Sequence, residues 1–339
     1  MEGAQGQRTG KFAGHYKHFS PHRVTGRGLA MTAGAAIAPA RHDQEGTAML
    51  GRFGRDAGSL LGVEIASDTI RMLQLRRQRG HWRVAAWACE PITRPMGHSQ
   101  LPEALREAHR RCGTPQRRVA LALPSSQVIC KVCQLPAETA RFDAEVRLLA
   151  QAEQLFPFPL DDLALDFQVL GVSAGSPAHI DVLVAACRQS QLDPLEHMFN
   201  QAGMQVAAME VDSFALLRAM GVEAPADLAL LQLEAGEIVL HGWQRDLVPL
   251  RQHLALDASG RWLESVERLW SLHGAQERVA QVMLAGGAAD AERAGQLTDR
   301  LAVRCSLACP SPLAGSAVSE SLVASMALAC GLALGGEQA

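Results

Sequence analysis

Residues 60–75 read LLGVEIASDTIRMLQL, and the fold prediction starts from this stretch. One apolar run ends at the small polar triplet Ser67-Asp68-Thr69, and a second apolar run follows at once. Two short apolar runs around such a turn are typical of an antiparallel hairpin. A third run, WRVAAWACEPI, follows the polar turn QRGH. The pattern therefore predicts a three-stranded meander.

Strand-like and helix-like segments alternate along the rest of the chain. Apolar residues at helical spacing predict a helix over 139–156, and a later helix is predicted to begin at the cap Ser190 and to end at Gly203. The second half opens with a hairpin that turns at Ala235-Gly236. Alternating strands and helices predict an α/β class with mixed sheets.

The composition sets limits on the class of protein. The chain has 339 residues, 48% of them hydrophobic, which is enough for two domains with substantial cores. A net charge of −3 does not favour a nucleic-acid partner. No segment reaches the roughly 18 apolar residues that span a bilayer. We therefore expect a cytoplasmic protein.

Two sequence features carry little chemistry. Residues 1–55 are rich in Gly, His and basic residues without a period, and are predicted to be a disordered extension, with Met49 as an alternative start. The eight cysteines lie in apolar contexts and are predicted to be core thiols. Neither a catalytic triad nor a metal-ligand spacing is present, so no catalytic residue and no metal site is predicted.

The middle of the chain carries a family resemblance. RRVALALPSSQVICKVCQLPA, then AEQLFPFPLDDLALDFQVLG, then DVLVAACRQSQLDPLEHMFNQAGMQVAAMEVDSFALLRA, resemble the PilM family of type IV pilus assembly proteins, with HofM and MshI as relatives. The resemblance spans about residues 58–334 and is most specific over 118–218.

The resemblance implies an actin-like (ribonuclease H-like) fold of two lobes with mixed sheets. In this fold an inserted subdomain replaces the usual second subdomain of the first lobe. The implied first lobe comprises 56–118, 206–222 and 312–339. The implied inserted subdomain is 119–205, and a trimmed second lobe is 223–311.

The resemblance also implies a nucleotide site between two small turns, which is degenerate in this chain. Phosphate turns need small residues so that backbone N–H groups approach the phosphates, and they need acids that hold Mg²⁺ through water. In the first turn Glu64 stands where the family has Asp, Ala66 stands where it has Gly, and Asp68 adds a negative charge. The candidate contacts from this turn are Glu64, Ser67, Thr69 and Arg71.

The second turn departs further from the family pattern. Gln232 and Glu234 align with the Asp and Gly of the family's Asp-x-Gly, although a slip of two residues would instead align Glu234 and Gly236. The third element, Gly286-Gly287, is intact. We therefore expect weak or lost binding of ATP and Mg²⁺.

The resemblance implies an adaptor at the inner face of the inner membrane. It implies binding of the cytoplasmic N-terminal peptide of PilN, a bitopic membrane protein, together with contact to pilus platform and motor components. Peptides often join such folds along an apolar groove or an exposed strand edge, and Phe156, Phe158 and Leu160 are candidates to line it. The alternatives are an active ATPase or kinase of the same superfamily, or an FtsA-like division protein.

Overall fold

The computed structural model describes residues 58–92, 100–139, 141–222, 227–243, 248–256, 261–273 and 279–335. The predicted disordered extension and the alternative start Met49 lie outside these residues.

Strands and helices alternate as the sequence pattern predicts. The first half contains β1 (Leu61–Ile65), β2 (Thr69–Gln78), β3 (His81–Pro91), α1 (Leu101–Cys112), β4 (Arg118–Leu123), β5 (Ile129–Pro136), α2 (Arg141–Leu155), β6 (Leu163–Ser173), β7 (Ser176–Arg188), α3 (Gln189–Gln201), β8 (Gln205–Val211) and α4 (Asp212–Met220). The second half contains β9 (Leu228–Leu233), β10 (Glu237–Trp243), β11 (Pro249–Ala255), α5 (Trp262–Leu272), β12 (Gln281–Ala285), α6 (Ala291–Leu301), β13 (Arg304–Leu307), α7 (Glu320–Val323) and α8 (Ala327–Gly335).

Two five-stranded sheets share one topology. The first has the order β3-β2-β1-β4-β8 and the second the order β11-β10-β9-β12-β13. In each sheet an antiparallel meander is followed by two strands that run parallel to its first strand. This duplicated, mixed sheet is the arrangement of the actin-like fold, so the predicted fold class is confirmed.

The two edge strands of the second sheet, β11 and β13, were not predicted from the sequence. β11 contains three consecutive polar residues, Arg251, Gln252 and His253, and is half-exposed, and β13 has only four residues. Both strands lie at sheet edges, where one partner strand suffices and a strong apolar alternation is not required.

A third sheet is inserted into the first lobe. It has the antiparallel order β5-β7-β6, and α2 packs on it through a core that includes Leu148, Phe156 and Val182. The third sheet and α2 span fewer residues than the predicted subdomain 119–205, because β4 belongs to the first sheet and α3 packs in the first-lobe core.

The start of α3 corrects a sequence prediction. Ser190 is not the N-terminal cap, since the helix begins one residue earlier and Arg188 lies at the cap position. Instead, the Asp162 carboxylate accepts hydrogen bonds from the backbone N–H of Ser190 at 2.8 Å and from its hydroxyl at 2.9 Å. The Asp162 carboxylate, from the turn directly before β6, thus satisfies donors of the first helical turn that have no partner within the helix.

The central strands of the first sheet are buried on both faces. α1 and α3 cover one face, while α4 and α8 cover the other. Two glycines permit the close approach of α8: a Cβ at Gly331 would overlap the carbonyl oxygen of Ala215 in α4, and one at Gly62 would overlap that of Ala329. The closing helix therefore contacts α4 and β1 at backbone distance.

This contact yields a stability prediction. Gly331→Ala should lower the free energy of unfolding by about 3 kcal/mol, because overpacking a backbone contact forces α8 away from α4. Gly295→Ala in α6 is the matched control, since nothing lies within 4 Å of its added methyl group. The control should be neutral or stabilising by up to about 1 kcal/mol. Urea denaturation measures both, and equal effects would contradict the close helix contact.

Candidate functional site

The two predicted turns face each other across the lobes. Glu64 and Arg71 lie opposite one another on β1 and β2 in the first lobe. Glu234 directly follows β9 in the second lobe, and Gly286-Gly287 directly follow β12. The strand ends of the two lobes therefore bring together residues that are more than 160 positions apart in the sequence.

A buried arginine joins the two lobes. The Arg71 guanidinium donates from Nη1 to Glu234 Oε1 at 2.8 Å and from Nη2 to Glu234 Oε2 at 2.7 Å. Its Nη1 also lies 3.1 Å from Glu64 Oε1. The side chain of Arg71 is only 1% exposed, and those of Glu64 and Glu234 are 5% and 2% exposed. A bidentate guanidinium–carboxylate pair is among the strongest and most directional contacts available to a buried charge.

Neutral donors extend the network. The Gln232 amide donates to Glu64 Oε1 at 2.9 Å and, at 3.3 Å, to Glu234 Oε1. The backbone N–H of Gly287 donates to Glu234 Oε2 at 3.2 Å. A Cβ at Gly287 would lie 2.5 Å from Arg71 Nη2, so the glycine leaves room for the guanidinium. Arg71 therefore rests against the Gly-Gly turn.

Six of the eight predicted residues thus lie in one cluster, and two do not join it. Ser67 has a buried hydroxyl with no hydrogen-bond partner among the described residues. Thr69 donates its hydroxyl to Asp68 Oδ1 at 2.8 Å in an exposed position. Within the first turn, the backbone N–H of Ala66 donates to the Thr69 carbonyl at 2.9 Å. The Asp68 carbonyl accepts from the backbone N–H of Ile92 at 2.7 Å.

The hairpin registers settle the alignment of the second turn. The last pairs are Ile65 with Ile70 in the first hairpin and Leu233 with Ile238 in the second. Gln232 therefore occupies the place of Glu64, and Glu234 that of Ala66. The alternative alignment, slipped by two residues, is wrong.

Burial and charge shift the ionisation of the cluster. Desolvation raises the pKa of Glu64 from 4.5 to about 7, which the Arg71 charge opposes and the Glu234 charge reinforces. Burial alone lowers the pKa of Arg71, but the charge of Glu64 and the hydrogen bond of Glu234 outweigh it and raise the pKa. Arg71 is therefore a permanent cation, whereas Glu64 titrates near neutrality.

The sequence did not predict a second polar contact between the lobes. Asp212, the first residue of α4, accepts from Arg251 Nε on β11 at 3.0 Å and from the backbone N–H of Ser125 at 3.0 Å. Next to it, the Ser213 hydroxyl and His241 Nδ1 on β10 lie 2.8 Å apart. Desolvation lowers the pKa of His241 to about 4, which keeps the ring neutral.

This Ser–His pair is a structural contact rather than a nucleophile and base. Both side chains are fully buried, so no substrate reaches the hydroxyl. An Asp-Ser pair at a helix start is a recognisable cap signal, but nothing in the local sequence relates it to strands 28 and 39 residues further on.

The predicted partner-binding residues differ in accessibility. Phe156 is buried in the core between α2 and the third sheet, so it is not available to a partner. Phe158 is half-buried, with the Arg188 guanidinium 5.5 Å from its ring centre. Leu160 is 44% exposed.

The buried ion pair predicts a specific stability loss. Arg71→Met should lower the free energy of unfolding by about 3–5 kcal/mol, because two buried carboxylates lose their cation. Adding Glu234→Met should recover much of the loss, since one of those carboxylates is then also gone. Arg110→Met, at the exposed pair with Glu107, is the control and should change little. Denaturant unfolding of the wild type, the single variants Arg71→Met and Glu234→Met, the double variant and the control measures the coupling, and additive effects of the two buried substitutions would contradict the geometry.

The ionisation of Glu64 predicts a pH dependence. Because its pKa is higher in the folded state (about 7) than its ordinary 4.5, the folded state binds this proton more tightly. The contribution of Glu64 to stability is therefore greatest at low pH and falls as the pH rises from 4.5 to 7. Glu64→Gln removes this fall, so the stability of the variant relative to the wild type should rise by roughly 1–3 kcal/mol across that range. Urea denaturation at a series of pH values measures it, and parallel profiles would exclude this role.

The chain is similar to several solved structures. One solved structure, a PilM-PilN type IV pilus biogenesis complex, is 23% identical and has a TM-score of 0.65, with 83% of this chain and 99% of that chain covered. A Bacteroides thetaiotaomicron protein with an actin-like ATPase fold is 10% identical with a TM-score of 0.44, over 85% and 99% of the two chains. The cytoplasmic domain of EpsL from Vibrio cholerae is 18% identical with a TM-score of 0.37, over 67% and 82%.

A family model matches the central part of the chain. Residues 62–229 match the model described as type IV pilus assembly protein PilM. The match runs from β1, where Glu64 and Arg71 lie, through the inserted sheet and α4 to the start of β9. Over these residues the chain belongs to the PilM family of type IV pilus assembly proteins.

Proposed function

We propose that this protein is a non-enzymatic adaptor of a type IV pilus or related assembly platform. In this role it binds the cytoplasmic N-terminal peptide of a PilN-like membrane protein, while its own cleft binds Mg-ATP weakly or not at all. Membership of the PilM family supports the pilus role, and the likeness to a PilM-PilN complex supports the partner.

The proposed loss of nucleotide binding rests on one observation, the buried ion pairs of Arg71 with Glu64 and Glu234. A phosphate turn offers free backbone N–H groups and room for a triphosphate. Here the guanidinium lies against the Gly-Gly turn, and the N–H of Gly287 already donates to Glu234. The residues present therefore do not fit a magnesium-bound nucleotide.

Charge acts in the same direction. Two buried carboxylates face one guanidinium, so a triphosphate would enter a site without excess positive charge. Gln232 occupies the position at which an acid would hold the metal's water, and an amide brings no charge to Mg²⁺.

The first lobe and the inserted sheet offer a partner surface. Leu160 is exposed at the turn between α2 and β6, beside the half-buried Phe158. Aromatic and aliphatic side chains at such a turn suit the apolar residues of a short peptide. Among the described residues no helix is long and apolar enough to cross a membrane, and in this proposal the bitopic partner holds the protein at the inner face of the inner membrane.

A paired titration tests the adaptor role. The N-terminal peptide of the PilN-like protein should bind by calorimetry, and Leu160→Asp should weaken it at least about tenfold because a charge is placed in an apolar contact. Leu272→Asp is the matched control, as Leu272 is 64% exposed on the second lobe. No binding of the peptide, or equal effects of both substitutions, would contradict the proposed surface.

A nucleotide titration tests the cleft separately. Mg-ATP should give no measurable heat, and the triple variant Glu64→Asp, Ala66→Gly and Asp68→Ser should not restore binding, because Arg71 and Glu234 remain in place. Sub-millimolar Mg-ATP binding with turnover by the wild type would overturn the non-enzymatic role and favour the ATPase alternative.

A further inference from the structure

The far end of the β2–β3 hairpin is strongly basic. Residues 76–83 read RRQRGHWR, and no Asp or Glu lies between Asp68 and Glu90. Each of the basic side chains is exposed, namely Arg76, Arg77, Arg79, His81 and Arg83. No acidic side chain of the described residues forms an ion pair with Arg76, Arg79 or Arg83. The hairpin end thus presents its positive charge to its surroundings.

The hairpin register places like charges side by side. Arg76 lies directly opposite Arg83 on the neighbouring strand, and like charges in this position are destabilising. Arg79 has a φ of 51° at the turn, a left-handed conformation that glycine adopts more readily. Local stability does not explain these choices, whereas an anionic surface would offset the repulsion.

An aromatic side chain accompanies the charges. Trp82 lies opposite Arg77, and its half-buried ring lies 5.2 Å from the Arg77 guanidinium carbon. Tryptophan combines an apolar ring with a polar N–H and is enriched where water meets lipid headgroups. The tip therefore combines phosphate-binding guanidinium groups with an interfacial aromatic residue.

We propose that the end of the β2–β3 hairpin, residues 76–83, binds anionic phospholipid headgroups at the membrane surface. Exposed basic residues close to an anionic leaflet attract it electrostatically, and each contributes separately to the binding. Trp82 adds an apolar contact at the headgroup level. The proposal rests on the proposed function for the location of the protein beside a membrane.

The sequence that precedes the described residues is also basic. Residues 1–57 contain eight Lys or Arg and four Asp or Glu, a net charge of +4. Among the described residues, Ser59 lies beside β2, because its backbone N–H donates to the Leu75 carbonyl at 2.8 Å. Stable membrane attachment generally takes two weak signals, and a basic hairpin would supplement a protein partner in this way.

A lipid surface fits better than a nucleic acid. The whole chain carries a net charge of −3, so the basic surface is local. The hairpin end carries one aromatic residue rather than the series of stacking side chains typical of single-strand binders. Its cations point to both faces of a two-stranded ribbon, because Arg76 and Arg77 are successive strand residues. A ribbon tip of this kind suits a planar array of phosphates.

The hairpin end is far from the Arg71 cluster. Arg76 lies five residues along β2 from Arg71, and at about 3.3 Å per residue their Cα atoms are roughly 16 Å apart. Substitutions at the tip therefore leave the buried ion pair and the inserted sheet intact, so lipid binding and peptide binding can be measured independently.

Vesicle flotation of the full chain, without any partner, tests the proposal. The protein should float with vesicles of phosphatidylcholine and phosphatidylglycerol, but not with phosphatidylcholine alone, and raised salt should release it. Arg76→Gln with Arg83→Gln should weaken the binding about 30-fold, from the contribution of two basic residues. Arg268→Gln with Arg304→Gln is the matched control, since both arginines are exposed on the second lobe and the charge change is identical.

The remaining outcomes separate the explanations. A shift of tryptophan emission on vesicle binding that disappears in Trp82→Phe would support contact of the tip itself. Equal losses in the two double variants would indicate dependence on net charge alone and would overturn the proposal. Binding of a single-stranded oligonucleotide but not of anionic vesicles would also overturn it. Retention of peptide binding without lipid binding would remove this inference and leave the adaptor role standing.

Discussion

Arg71 is a cation removed from water, and its position requires acceptors from both lobes. Glu64 on the neighbouring strand supplies one carboxylate, while Glu234 from the second lobe supplies the bidentate partner. A buried charge without partners is costly, so separating the lobes would expose this arginine to a less favourable environment or require water to enter. The relative placement of the two lobes is therefore coupled to the neutralisation of a single side chain.

The second polar contact lies where the inserted sheet joins the first lobe. Asp212 binds Arg251 of the second lobe and, through the same carboxylate, the backbone of Ser125 just before β5. A displacement of the second lobe would therefore change the position of the backbone at the start of the inserted sheet. In the proposed adaptor, this sheet lies beside the partner surface, and the protein's own side chains connect the lobes where a nucleotide would otherwise do so.

Much of the fold was predictable because its signals are local. Apolar runs with short polar turns indicated the two hairpins, and helical spacing indicated α2 and α3. The edge strands β11 and β13 were missed, since edge strands need little apolar alternation. The cap of α3 was misplaced because the Asp162 carboxylate that satisfies its donors belongs to another element. Six of the eight predicted cleft residues lie in one cluster. From the sequence, however, Arg71 was a candidate for phosphate contact, and its pairing with Glu234 was not predicted.

The sequence by itself determined the alternation of strands and helices, the duplicated hairpin plan and the replacement of small or acidic turn residues by Glu64, Ala66, Gln232 and Glu234. The first two follow from residue type and spacing along short segments, and the replacements follow from the resemblance to the family pattern. Only the tertiary structure decided what the replacements do together. Glu234 and Arg71 are 163 residues apart, and their contact depends on how the two sheets face each other. The burial of Phe156 and the pairing of Asp212 with Arg251 likewise depend on packing between distant elements. Charge neutralisation and burial are properties of the assembled lobes, which is why no local pattern could predict them.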